Sequence, residues 1–141
     1  MDLRRAREFE AFVAGAAGRL LHTAALLTGE PAGAAPRARR LLTAALARTY
    51  ADWDSLRDDD PYDHTRRELA QRCARGAWHR RHPAGGVLSR LGPRERVVLV
   101  LRLHEGVSEE QLAALTGLTV ERVGAVCARA VLTLTVREAG R

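Results

Sequence analysis

The chain contains no lysine. All 23 of its Lys-plus-Arg positions are arginine, set against 17 acids for a net charge of +6. With so much alanine and glycine, this absence points to GC-rich coding rather than to a function. Arginine makes bidentate contacts to phosphate and guanine, so nothing in the bias excludes a nucleic-acid partner. Aromatic residues are equally scarce, at 4%. A core must then be filled by alanine and leucine, which predicts helix packed on helix. No apolar run approaches the roughly 20 residues that span a bilayer, and MDLRRAREFEAF has no signal-peptide apolar stretch. The expectation is a cytoplasmic protein with no membrane partner. Cys73 and Cys127 fall inside expected helices without metal-ligand spacing, as reduced core thiols do. His64, His79 and His82 around Cys73 fit no zinc pattern either. With no glycine-rich phosphate loop and no nucleophile arrangement, the reading is of a protein that is not an enzyme and needs no cofactor or metal.

What is present is helical periodicity, and no segment has strand period. The 141 residues, 46% of them hydrophobic, can bury the core of one ordinary domain or of two very small ones. Phe9, Phe12, Val13, Ala16, Leu20, Ala24 and Leu27 form one apolar stripe, predicting a helix from about Leu3 to Leu27 that Gly29 stops. GEPAGAAP reads as a loop. A second helix is expected from about Arg37 to Leu56, with Leu41, Leu42, Ala45, Leu46, Thr49, Tyr50 and Trp53 inward. Asp60 and Pro61 are a good N-cap and first residue for a third helix, to about Arg81. Pro93 starts a nearly all-apolar helix ended by Gly106. Ser108 with Gln111 forms a capping box for EEQLAAL, Gly117 turns the chain, and Thr119 caps the last helix. On that last helix Val120, Val123, Cys127, Ala130, Val131 and Leu134 are expected inward.

Charge is uneven along the chain. Residues 1–60 balance nine arginines against nine acids, residues 61–90 set seven against two, and residues 91–141 seven against six. The polyanion footprint therefore lies in the third helix, where Arg67, Arg72, Arg75, Trp78, His79, Arg80 and Arg81 mix cations with one stacking aromatic. A solvated basic face is the alternative for the same residues.

LGPRERVVLVLRLHEGVSEEQLAALTGLTVERVGAVCARAVL, residues 91–132, resembles the DNA-reading C-terminal domain of bacterial σ factors of the extracytoplasmic-function (ECF) type. The gapless likeness covers Pro93, Arg94, Leu99, Leu101, Arg102, Glu105, Ser108, Ala113, Gly117, Val123, Arg129 and Ala130. A looser likeness links EFEAFVAG, LARTYADW and DPYDHTRREL to the same group's promoter-melting domain. The resemblance implies an all-α fold of two small helical bundles. Residues 1–82 would be promoter-melting-like, 83–92 a short linker with a helical turn, and 93–141 a helix-turn-helix domain. It implies DNA contact by the recognition-helix positions Thr119, Glu121, Arg122, Ala125 and Arg129, and core RNA polymerase as a partner.

Three departures qualify those implications. Gly124 and Ala125 replace the relatives' DNA-contacting Lys-Ser pair. The relatives' acidic polymerase-binding pattern is replaced by Arg40, Leu41, Leu42, Thr43 and Ala44, turning attraction to a basic clamp into repulsion. The linker of about ten residues reaches about 35 Å when extended, barely the 34 Å of one duplex turn. Two functions therefore stand side by side. One is a σ-like regulator of transcription initiation that binds DNA or polymerase. The other is a diverged σ-like protein working through protein contacts with another transcription regulator, at Arg40, Thr43, Ala44, Ala128 and Leu132.

Overall fold

The computed structural model describes residues 2–31, 33–56, 58–76 and 91–140, and the chain is all-α. The helices are α1 (Leu3–Thr28), α2 (Pro36–Ala51), α3 (Pro61–Gly76), α4 (Pro93–Leu99), α5 (Glu109–Thr116) and α6 (Val120–Ala139). A 3-10 turn, Trp53–Ser55, follows α2, and a π-helical turn, Val100–His104, continues α4. The second helix is thus shorter than expected. Its backbone tightens where Asp52 C=O accepts from the Ser55 N–H and hydroxyl. The expected end of the third helix at Arg81 and most of the expected linker, residues 77–90, lie outside the described residues.

Most helix ends obey local chemistry. Asp2 accepts from Arg4 N–H at 3.0 Å, and Asp60 accepts from Tyr62 N–H at 3.0 Å. Ser108 Oγ accepts from Gln111 N–H while Gln111 Oε1 accepts from Ser108 N–H, a reciprocal capping box. Thr119 Oγ1 accepts from Arg122 N–H at 3.1 Å. Gly29 and Gly117 sit at φ 75° and 77°, closing α1 and α5 with left-handed residues that only glycine adopts without strain.

One cap comes from a distance. α2 begins after Ala35, which has no side chain to cap with. Glu30, back in the loop, accepts from the N–H groups of Arg37 (3.1 Å) and Ala38 (2.7 Å), and from Thr28 Oγ1 (3.0 Å). Burial works against its charge. The two backbone donors, the Thr28 hydroxyl and the Arg37 charge together outweigh that and hold the carboxyl below the usual range.

The core is small-residue packing. Leu20, Ala24 and Leu27 of α1 meet Ala38, Leu42 and Ala45 of α2, Leu69 and Ala70 of α3, and Val97, Val98 and Leu101 from α4 and its π turn. Val107, Leu112 and Val123 belong to the same buried cluster, which therefore runs without a break from the first three helices into the last three. Alanine at these crossings lets helix axes approach closely. α2 and α3 are also joined by a buried polar pair, Thr49 Oγ1 to Thr65 Oγ1 at 2.7 Å. His64 bridges Thr49 Oγ1 and Asp52 Oδ2 beside it. Four aromatics gather at one end, where Phe9 packs on Phe12, Tyr50 and Trp53.

Two expectations need correction. Val131, read as inward, is 41% exposed. It lies at the edge of the arc formed by Val123, Cys127, Ala130 and Leu134, and Ala130 with Leu134 takes the packing on Leu91 and Leu99. And α1, although interrupted by Arg19 and His22, is by length and composition apolar enough to cross a membrane. Its alanines and leucines supply that apolarity without a contiguous run, and the inner part of its stripe lies in the protein core.

Replacing Glu30 by Ala orphans two helix-start N–H groups. It should lower the unfolding free energy by about 1–2 kcal/mol in urea titration. A change within about 0.5 kcal/mol, the range of an ordinary surface substitution, would show that this loop cap contributes nothing.

Candidate nucleic-acid and partner surfaces

All six α6 residues expected to face outward lie where the wheel puts them. Glu121, Arg122, Ala125, Ala128 and Arg129 are all exposed, Thr119 caps their helix, and Leu132 is 63% exposed. The face is mixed along its length. Its N-terminal part is charged, while its C-terminal part shows Leu132 and Val136, the latter 68% exposed.

What the sequence did not reveal is the acid that accompanies this face. The Glu109 carboxylate lies beside Gly124, 3.4 Å from where a Cβ would stand, and Glu110 next to it is exposed. Both favour the N-terminus of α5. Glu121 and the Glu109 carboxylate set two acids beside Arg122 and Arg129, a poor match for phosphates. The Cβ contact at Gly124 is an ordinary one with a movable side chain, so packing does not demand glycine there.

Of the basic set on α3, Arg67 and Arg75 are exposed and Arg72 is half-buried. Arg72 pairs with Glu68 at 3.3 Å, and Arg75 Nε donates to Gln71 C=O. Arg67 and Arg75 stand on the same side as Gln71, at four-residue spacing. They border two clefts between α3 and the C-terminal helices, one of about 280 Å³ at Arg67 and one of about 860 Å³ at Arg75. Trp78, His79, Arg80 and Arg81 lie outside the described residues. On α2, Arg40 and Thr43 are exposed and Ala44 is half-buried, so Arg40 offers a cation to solvent.

The densest polar site was not singled out by the sequence. The π turn and Gly106, left-handed at φ 71°, bring Glu105 inward. Val107 N–H donates back to Leu101 C=O across that glycine. The Glu105 side chain is fully buried. Its Oε1 accepts from Thr23 Oγ1 and from Tyr62 Oη, both at 2.7 Å. Its Oε2 accepts from Arg19 Nη2 at 3.2 Å and lies 3.9 Å from Arg66 Nη1. Both guanidiniums lie against the Tyr62 ring, 4.9 and 5.8 Å from its centroid. Among the described residues, every partner of the Glu105 carboxylate comes from α1 or α3. A carboxylate of the C-terminal helices is thus held entirely by the N-terminal ones.

The electrostatics follow from the contacts. Burial alone would raise the Glu105 carboxyl, but the Thr23 and Tyr62 hydroxyls, with Arg19 and Arg66 behind them, hold it below the usual range. Burial and its hydrogen bond to this carboxylate push the Tyr62 phenol up. Among the described residues no cluster of three or more His, Cys, Asp or Glu could hold a metal ion. Cys73 Sγ donates to Leu27 C=O at 3.4 Å, and Cys127 is half-buried.

No family model, no curated protein and no solved structure matches the chain.

Two outcomes are expected. Glu105→Ala leaves buried donors and cations unpaired and should cost about 3–5 kcal/mol of stability, a loss readable in urea titration. Because its carboxyl is depressed, Glu105 stabilises the fold fully above the unfolded value of about 4.3 and loses that contribution as pH falls through the folded one. The stability gap between wild type and Glu105→Gln should therefore be constant from neutral pH down to about 5 and shrink below about 4. A gap that shrinks nearer neutrality would contradict the assignment. Separately, Gly124→Ala should stabilise the chain by up to about 1 kcal/mol.

Proposed function

We propose that the chain is a σ-factor-like regulator of transcription initiation that acts by binding DNA, RNA polymerase or both, in the cytoplasm and without catalysis. The observation that supports this best is that the residues carrying the resemblance have the structural roles the σ pattern assigns them. Pro93 opens α4, Ser108 caps α5, Gly117 makes the left-handed turn, and Val123 and Ala130 are buried while Arg129 is exposed. In a helix-turn-helix of this kind α6 would be the reading helix. Arg122 and Arg129 would contact the backbone, with Arg67, Arg72 and Arg75 supplying the wider electrostatic footprint.

A second reading is favoured by a specific observation. Leu132 and Val136 are exposed, and Val131 partly so, on a helix whose charged end carries Glu121 and lies beside Glu109. Such a surface suits a protein better than a phosphate backbone, and the exposed Arg40 weakens the expected approach to a basic polymerase clamp. Under this reading the σ-like fold persists as an interaction module.

The separating experiment is recovery of partners on the tagged full chain from nuclease-treated lysate of its own cells. Core polymerase subunits in near-stoichiometric yield support the first reading, and a different dominant protein with no polymerase supports the second. Variants sharpen the division. Replacing Arg67, Arg72 and Arg75 together by Glu should abolish salt-dependent DNA binding, while Leu132→Glu should leave it intact and break a protein contact on α6.

A further inference from the structure

We propose that His22 and His104 form a two-imidazole clip for a late first-row divalent cation of the Zn²⁺, Ni²⁺ or Cu²⁺ class. The ion would fasten α1 to the turn that ends α4. The inference does not depend on the transcription reading above, and its failure leaves that reading where it stands.

The two rings come from opposite parts of the chain. His22 lies on α1, and His104 is the last residue of the π turn. Each immediately precedes a member of the buried polar site, His22 before Thr23 and His104 before Glu105. The 2.7 Å bond from Thr23 Oγ1 to Glu105 Oε1 therefore fixes both backbones beside the pair. Thr23 and Glu105 are buried, while His22 and His104 are exposed along the same seam. There the rings meet, with 4.9 Å between centroids and 68° between planes. Among the described residues neither ring has a hydrogen-bond or ion-pair partner.

That separation suits a shared ion. With a metal–nitrogen bond of about 2.0–2.1 Å, a bound imidazole has its centroid about 3.2 Å from the metal. Two such ligands at about 90–110° around one ion stand about 4.5–5.2 Å apart, centroid to centroid. The observed 4.9 Å lies within that range. The present contact is edge to face, so each ring must turn to aim a nitrogen at the common point. Exposed imidazoles do so about a broad χ2 torsion without moving the backbone.

The donor set selects the ion. The nearest carboxylate, Glu105, is already engaged by Arg19 at 3.2 Å and by two hydroxyls. Mg²⁺ and Ca²⁺, which need oxygen ligands, gain nothing from two neutral nitrogens. Zn²⁺, Ni²⁺ and Cu²⁺ accept imidazole readily, with water completing their coordination. Because His22 and His104 are far apart in sequence, the unfolded chain does not hold them together. The ion then binds the folded form selectively and stabilises it.

The test melts the full chain in chelator-treated buffer, with and without excess Ni²⁺, followed by circular dichroism. Ni²⁺ is the probe because the thiols of Cys73 and Cys127 compete more strongly for Zn²⁺. Saturating Ni²⁺ should raise Tm by about 5 °C or more, with reversal by EDTA and one ion per chain in calorimetric titration. His22→Ala and His104→Ala remove exposed rings, so both should fold, and each should abolish the shift. Replacing His79 and His82 together by Ala should leave it intact. No shift in the wild type overturns the clip, as does a shift that survives either single substitution. Loss of the shift on replacing His79 and His82 would put the ion elsewhere and overturn it too. One ion per two chains would place the ligands in different copies, with the same consequence.

Discussion

A single buried carboxylate joins the two ends of this chain. Glu105 is out of contact with water, and an uncompensated charge there would be prohibitive, so its environment must supply donors to both oxygens. α1 supplies Arg19 and Thr23, and α3 supplies Tyr62 and Arg66. The requirement works in both directions. Where Glu105 goes, α1 and α3 must be, and the apolar cluster of Leu20, Leu69, Leu101 and Val107 closes around the same line. Hydrophobic burial supplies most of the driving force but specifies register weakly, because alanine and leucine surfaces fit one another in many ways. The carboxylate and its four partners select one of those ways.

The backbone around Glu105 is shaped for this purpose. A regular α-helix through Val100–His104 would aim the next side chain differently. The π turn shifts the register, and left-handed Gly106 then reverses the chain while Val107 N–H satisfies Leu101 C=O. The arrangement sets positioning against intrinsic helix stability within a few residues. The same trade occurs at the start of α2, where Ala35 cannot cap and Glu30 reaches forward from the loop to do so.

Local signals in the sequence were sufficient for most of the helix ends, although the second helix, expected to Leu56, stops at Ala51 and the expected end of the third at Arg81 lies outside the described residues. Asp60, Ser108 with Gln111, Thr119, Gly29, Gly106 and Gly117 act within a few residues of themselves, and each is found at the end it was expected to mark. Signals that act across the fold were not legible. Nothing near Glu105 in sequence announces that Thr23 and Tyr62 will bind it. Arg66 was passed over for the basic face because its inward direction depends on a carboxylate 39 positions away. Val131 was assigned to the core because a wheel gives direction and not the reach of the neighbouring helix. On the candidate surfaces, the exposure of Arg122, Arg129 and Leu132 followed from periodicity. The acid that Glu109 brings to Gly124 did not, since it comes from α5.

The closure of the chain around Glu105 is tested most directly by small-angle scattering of the wild-type protein at neutral pH and moderate salt. A chain of this length closed into one body has a radius of gyration of about 14 Å. That value, with a single-body distance distribution, is the result expected. A radius near 20 Å with a two-lobed distribution would mean that the helices on either side of residues 77–90 stand apart, and that the Glu105 contacts do not hold the chain together.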